Sequence, residues 1–551
     1  MTGRFCLLFQ YVLLFTSLPH VSRAQTDTSV DICIYGGTSA GVIAGYSAKR
    51  LGNTVLVIEP GGQVGGMTTG GLGETDIGNK GAITGLAKDF YRRVGARYGQ
   101  PESWTFEPHV AAAVFQDYIR AVQLPVWYHY RLKQVGKEGT AITVIVLERS
   151  GPASGTRLSG TGRQLRGTDP LLRGTDPLLL KVRAKVFIDC SYEGDLMAAS
   201  GVSYVTGREA NRLFNETYDG WQLRDKHQFP DGIDPYRKPG DPSSGLLWGI
   251  SGDAPDTVGA GDRRIQAYNF RICLTDDPAN RLPISRPANY NADHYLLLLR
   301  LIAAQPEARL SAYLNINGMP NHKTDINNNG AFSTDMIGMN DDYPEASYAE
   351  RERLWQAHAA YTKGLLYFLG HDPRVPKTLR AEMLRWGYPM DEFESTGHWT
   401  PQLYIREARR MRGEYVMTEA NCVGKANVMD GIGMAAYTMD SHNCGRLTVR
   451  GMVKNEGDVQ IGGFGPYPVA YRSIVPRAGE CSNLLVPVCL SATHIAYGSI
   501  RMEPVFMVLG ESAAVAAHLA IEAGRPVQQV DVARLQRIMK DDPLLERLPL
   551  Q

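Results

Sequence analysis

The sequence predicts an α/β protein: a discontinuous Rossmann-like nucleotide-binding domain with a mixed α+β region inserted between its two parts. Three observations predict it. Residues 30–59 read strand, glycine turn, helix, strand and acid, in that order. A βα-like pattern returns at 182–200, and another closes the chain near 484–524. The stretch between them is rich in Pro, Asp, Asn and aromatics and has weak periodicity, so a different architecture is expected there. A chain of 551 residues accommodates two such units. The expected boundaries are 28–210 for the first nucleotide-binding part, 211–480 for the substrate or cap region, 481–527 for the second part, and 528–551 for a C-terminal helix and tail.

The N-terminus reads as an export signal. Arg4 supplies a positive start, FCLLFQYVLLF an apolar segment, and Ser22-Arg23-Ala24 a small-x-small cleavage site, with cleavage expected after Ala24. The apolar segment is shorter than the about 20 residues that span a bilayer, so no membrane span is expected. The protein is therefore expected in the periplasm or outside the cell.

Val30 to Tyr35 has the composition of a buried strand and runs into Gly36-Gly37-Thr38-Ser39-Ala40-Gly41. A strand feeding such a turn and then a helix points backbone N–H groups and the positive end of the helix dipole at a pyrophosphate. Gly36 permits the tight turn, and Gly41 lets the helix approach the strand. Thr38 departs from the usual middle glycine of G-x-G-x-x-G; its hydroxyl is expected to donate to phosphate. The helix GVIAGYSAKRL has Gly45 and Ala48 for close packing, and the strand TVLVIE ends on Glu59. A carboxylate at that strand tip accepts from the ribose hydroxyls of the adenosine half.

The segment PGGQVGGMTTGGLGETDIGN follows at once and holds three glycine doublets. A plain nicotinamide domain does not need them there, whereas FAD, a longer molecule, needs backbone along its path. From Pro125 to Val182 apolar β-formers alternate with polar segments, which predicts an antiparallel meander. RGTDPLL occurs there twice in tandem, at 166–172 and 173–179, as two turns. KVFIDCSYEGDL (185–196) predicts a strand ending in small residues, with Asp195 either capping the next helix or contacting cofactor. Residues 345–415 look helical, and Pro504 starts an alanine-rich helix.

Taken together, GGTSAGVIAGYSAKRLG, GGMTTGGLGETDIGNKGAITGLAKDFYRRVG, FIDCSYEGDL, YNFRICLT, REARRMRGEY and SIRMEPVFMVLGESAAVAA resemble the FAD-dependent oxidoreductase family within the glutathione-reductase-like FAD superfamily. The chain is also similar to exported bacterial proteins labelled xanthan lyase and to the flavin domain of heterodisulfide reductase. The resemblance covers about residues 30–525 and implies a glutathione-reductase-type FAD-binding fold and redox activity. It implies Gly65, Gly66, Met67 and Thr68 as the doublet lining FAD. It also implies that the helix started by Pro504, flanked by Arg501 and Glu503, faces the flavin, unless Arg501 and Glu503 pair with each other. The mature chain keeps seven cysteines with no C-x-x-C pair, so neither cluster nor zinc ligands are expected and no metal is assigned.

A flavin enzyme needs a proton acceptor near its substrate. His494, just before the flavin-facing helix, is the first candidate, and His442 beside Asp440 the second. Arg406, Arg410 and Gly413 fall at i, i+4 and i+7 of a predicted helix, as a solvated face or as a clamp on an anionic substrate or on flavin O2. Tyr467, Tyr471 and Arg472 in PYPVAYRS line a sugar pocket or pack in the core. The net charge of +1 gives no field for nucleic acid. The expected activity is hydride transfer from a small polar substrate, a carbohydrate or derivative by family association and export, with oxygen or a carrier as electron acceptor. The alternatives are a flavin electron-transfer module and a binding protein that has lost turnover.

Overall fold

The computed structural model describes residues 27–150 and 179–541. The expected leader, all but the last residue of the tandem repeat, and the end of the C-terminal tail lie outside the described residues.

The first unit is one mixed sheet. Strand β1 (Asp27–Tyr35) is followed by helix α1 (Ser39–Arg50) and strand β2 (Val55–Glu59). Helix α2 is a single turn (Gly66–Thr69), and the longer helices α3 (Gly85–Arg97) and α4 (Pro108–Ala121) come next. Strands β3 (Val126–Tyr128), β4 (Tyr130–Glu138), β5 (Ala141–Arg149) and β6 (Leu179–Asp189) complete it, and α5 (Asp195–Ala199) follows. The order is β3-β2-β1-β6-β5-β4. β1 lies parallel to both β2 and β6, with Tyr35 level with Ile58 and with Asp189. All three strands thus end together, which sets Gly36, Glu59 and Cys190 along one carboxyl edge, where open α/β sheets bind ligands.

The predicted meander is only partly antiparallel. β4, β5 and the first half of β6 are antiparallel neighbours, but β3 joins β2 in parallel. The reason is α4, which carries the chain back across the sheet and so forces a crossover connection. The second half of β6 pairs in parallel with Leu484–Leu485, so the sheet is completed by residues from near the other end of the chain.

Side chains of β1 alternate between two cores. Ile32 and Ile34 face the large one, which also takes Phe332, Leu366 and Val508; Cys33 and Tyr35 face a smaller one with Leu147 and Val182. The alanine-rich helix Glu503–Ala523 packs on α1 so closely that a Cβ on Gly510 would lie 2.5 Å from the Ala40 carbonyl oxygen. It is long and apolar enough to cross a bilayer, but its apolar surface is buried within the protein.

In the inserted region, Leu314–Met319 and Lys323–Asn328 form an antiparallel hairpin. Helix Tyr348–His371 begins with a capping box from Ser347 and Glu350, in line with the helical reading of that stretch. The helical reading fails further on. Arg406, Arg410 and Gly413 do not share a helix face: Arg410–Met411 is a short strand paired with Tyr204–Val205. Tertiary ion pairs outweigh local propensity there. Arg406 pairs with Asp335, Arg409 with Asp195 and Arg410 with Glu209, each on a different neighbour.

Candidate active site

The turn after β1 is built for close approach. Gly36 has φ +96°, and a Cβ on it would lie 2.6 Å from the Ser191 backbone nitrogen. On Gly41 a Cβ would strike the Gly36 carbonyl. Thr38 is the N-cap of α1: its hydroxyl accepts from the Gly41 N–H at 3.3 Å and donates to the Cys190 carbonyl at 2.8 Å. The hydroxyl expected to serve phosphate is therefore spent on tying α1 to β6. The N–H groups of Ser39 and Ala40, in the first helical turn, have no acceptor within the helix.

Glu59 stands where the acid strand ends. Its carboxylate accepts from Gly37 N–H at 2.8 Å and from Gly61 N–H at 2.5 Å. Burial pushes this carboxyl up to about 7, and the charge of Glu193 adds to the rise. Gly65 and Gly66 both have positive φ, and Gly65 N–H donates to the Gly37 carbonyl at 2.7 Å, so the doublet lies against the first turn.

Four elements then meet on one carboxylate. Glu503, the first residue of the alanine-rich helix, accepts from Ser39 Oγ (2.5 Å) and Thr68 Oγ1 (2.8 Å) on one oxygen and from Tyr192 OH (2.7 Å) on the other. Tyr192 OH in turn accepts from Met67 N–H at 2.9 Å. Burial raises the Glu503 carboxyl, and a carboxylate at this helix start is also favoured by the dipole. Pro504 occupies the first turn, where no N–H is needed. The glycine turn, the doublet and the terminal helix are thus adjacent. The residues fit FAD: a glycine turn whose backbone packs too closely for any Cβ, a helix start whose first N–H groups have no acceptor within the helix, and an acid at the ribose position.

A narrow cavity adjoins this junction, with about 10 Å³ free inside it, room for about one water. Its walls include Asp76, Tyr192, Tyr404, Arg406, Arg501 and Phe506. Three guanidinium groups surround the Tyr404 ring, with Arg406 4.7 Å, Arg501 5.9 Å and Arg271 6.0 Å from its centre. Arg271 binds Asp325 through two nitrogens (2.7 and 2.5 Å) and Asp76 through the third (3.2 Å). Arg501 donates to Tyr404 OH (3.1 Å) and to Asp440 (3.0 Å), not to Glu503. Arg406 pairs with Asp335 at 3.0 Å and also donates to the Ala267 carbonyl. Burial lowers the Arg406 guanidinium below its ordinary range.

His442 bridges the two arginine partners, 2.9 Å from Asp335 and 3.4 Å from Asp440. Burial and Arg406 act to lower it, but the two carboxylates win and hold it above its ordinary value. It lies behind the arginines, not on the cavity wall. His494 is sealed: both ring nitrogens are engaged, by Glu407 Oε2 at 2.7 Å and Ser441 Oγ at 2.9 Å. Burial, with Arg410 and Arg208 nearby, pushes it down to about 3, so this first candidate is a neutral core histidine.

Three other expectations are corrected. Asp195 neither caps α5, whose cap is Gly194 with no side-chain bond, nor touches the cradle. It binds Arg351 twice (2.7 and 2.9 Å) and Arg409 once (2.8 Å); the capping bond to Met197 N–H comes from Asp189 instead, at 2.8 Å. Tyr471 and Arg472 lie away from the cavity: Tyr471 is buried and donates to the Val527 carbonyl, and Arg472 is half-exposed and paired with Asp430. Tyr467 donates to Ser499 Oγ, and its segment is a strand paired with Gly431–Ala435.

Sequence reasoning missed roles for Tyr192, Asp76, Arg271 and Tyr404, although the first three lie inside the segments FIDCSYEGDL, GGLGETDIGN and YNFRICLT. Among the described residues one group has metal-ligand geometry, Glu107, His109 and Glu392. The Lys323 ammonium already sits 2.7 Å from Glu107 and 2.8 Å from Glu392, and supplies the cation that these carboxylates need.

Solved structures with partial likeness include the anhydrotetracycline hydroxylase OxyS from Streptomyces rimosus (8% identity, 37% of this chain and 36% of that one, TM-score 0.21). THI4 from Thermovibrio ammonificans (17%, 32% and 64%, TM-score 0.22) and a flavoprotein/dehydrogenase from Cytophaga hutchinsonii (15%, 33% and 44%, TM-score 0.21) are similar to the same limited extent. The chain spans less than two thirds of each, and likenesses this partial carry no argument about its chemistry. No curated protein matches the chain. The family model described as FAD dependent oxidoreductase matches residues 31–160 and 173–539, nearly the whole described chain. The chain belongs to the FAD-dependent oxidoreductase family.

Proposed function

We propose that this enzyme is exported and oxidises a small polar substrate, a carbohydrate or derivative, in the cavity walled by Tyr404, Arg406 and Arg501. One observation carries the reading: that cavity opens beside Glu503 and Tyr192, where the glycine turn, the doublet and the alanine-rich helix converge. FAD, when bound, supplies the hydride acceptor. Gly36, Gly37, Ser39, Ala40, Gly65 and Gly66 would hold it by backbone, with Glu59 on the ribose.

The chain's own task is to orient substrate and to take a proton. Arg406 and Arg501 are held rigid by Asp335 and Asp440, and His442 locks those two carboxylates together. Asp76 is the cavity carboxylate best placed to accept the proton. Its side chain is partly exposed, and Arg271 (3.2 Å) and Tyr437 (3.4 Å) fix its direction.

The test begins with mass and absorbance of the cofactor released from purified protein. Anaerobic bleaching by a panel of sugars, sugar acids and hydroxy acids then identifies a reductant. Asp76→Asn is expected to keep the yellow chromophore and to slow bleaching by about 10²–10⁴-fold. Bleaching at the unmodified rate overturns the role of Asp76; a colourless protein overturns the reading as a whole.

A further inference from the structure

We infer that the substrate carries a carboxylate, and that Arg406 and Arg501 receive it as a pair. The inference rests on the cavity being the substrate site, and it adds the chemical class.

Two buried donors beside the cavity are left over. Arg406 and Arg501 are almost completely buried, both line the cavity, and in each the Nε–H has no hydrogen-bond partner among the described residues. Their terminal nitrogens are all engaged: Arg406 by the Ala267 carbonyl, Asp335 and Asn327, and Arg501 by Tyr404 OH and Asp440. A buried cationic donor without an acceptor is costly, and two of them on one small cavity mark a place for an acceptor brought from outside.

The nearby carboxyl groups do not fill that role. Asp335 and Asp440 hold the far nitrogens, with His442 between them. Asp76 is taken by Arg271 and Tyr437. Glu503 is taken by three hydroxyls. Both guanidinium groups lie against the same tyrosine ring, and charge-assisted bonds to a carboxylate are the strong ones of this kind.

The experiment uses the FAD-loaded enzyme, with cofactor content measured first. Matched pairs are titrated anaerobically and read by perturbation and bleaching of the flavin spectrum: glucuronate against glucose, lactate against lactamide, and acetate as a bare carboxylate. The carboxylates are expected to perturb the spectrum saturably, and the neutral partners to do so about a hundredfold more weakly. Arg501→Lys keeps a cation beside Asp440 but removes the Nε–H. It is expected to retain FAD and a cooperative thermal unfolding transition while losing carboxylate affinity by about tenfold or more. Arg406→Lys gives the second arm. Reduction by neutral members only, no carboxylate binding at millimolar concentrations, or unchanged affinity in both variants overturns the inference and leaves the FAD enzyme standing. Loss of FAD or a moved reduction potential in Arg501→Lys, with carboxylate affinity intact, assigns the two guanidinium groups to the cofactor and overturns it as well. Absence of FAD from the purified protein instead sinks the function on which the inference rests.

Discussion

At the residue scale, Glu59 makes two pH predictions of opposite sign. Its folded value is pushed up to about 7 from an ordinary 4.5, chiefly by burial. A raised acid makes the ligand-free fold most stable when protonated, and that contribution is lost as pH rises through the folded value. Urea unfolding of FAD-free protein is therefore expected to show falling stability from the ordinary carboxyl range up to about 7. Glu59→Gln flattens part of the slope; Asp189 and Asp341, each raised by burial to about 6, keep part of the rest. FAD affinity runs the other way. Ribose hydroxyls donate to the ionised carboxyl, so titration of FAD is expected to give tighter binding as pH passes 7, and Glu59→Gln removes the trend. Glu59 was legible in the sequence because strand, turn and acid are local. The partners of His494 and Asp195 were not: each is fixed by residues tens to hundreds of positions away, such as Glu407 and Arg351.

At the element scale, the cradle depends on how closely helices approach. Gly510 faces the α1 backbone at Ala40, and both are main-chain neighbours that cannot swing aside. Gly510→Val is expected to lower stability by about 1–3 kcal/mol and to weaken FAD retention, read by thermal unfolding and by absorbance after gel filtration. Tyr192→Phe tests the junction differently, since it removes the donor to Glu503 and the acceptor of Met67 N–H without changing the packing. A loss of about 1–3 kcal/mol is expected in chemical denaturation, because it leaves buried groups unpaired. The α1 and alanine-rich helices could be read from small-residue spacing. The extended stretch through Arg406 and Arg410 could not, because its arginines look helical until their distant carboxylates are known.

At the scale of the whole molecule, the two regions share one large core and are clamped by buried ion pairs. Arg351, on the long helix of the inserted region, binds Asp195 at the start of α5. Asp195→Asn is expected to cost about 3–5 kcal/mol and to unfold both regions in one transition, since removing one partner strands a buried charge. Differential scanning calorimetry checks it; two separate transitions would show that the regions melt independently. The fold class was legible because the nucleotide-binding unit repeats a local pattern. The shape of the cavity was not, because its walls come from well-separated stretches of the chain. The second half of β6 waits for Leu484–Leu485 to join it. A ribosome has emitted most of the polypeptide before this strand appears, and the helix that closes the cradle comes later still. The chain therefore holds an incomplete sheet until this strand is made, which favours slow, late maturation.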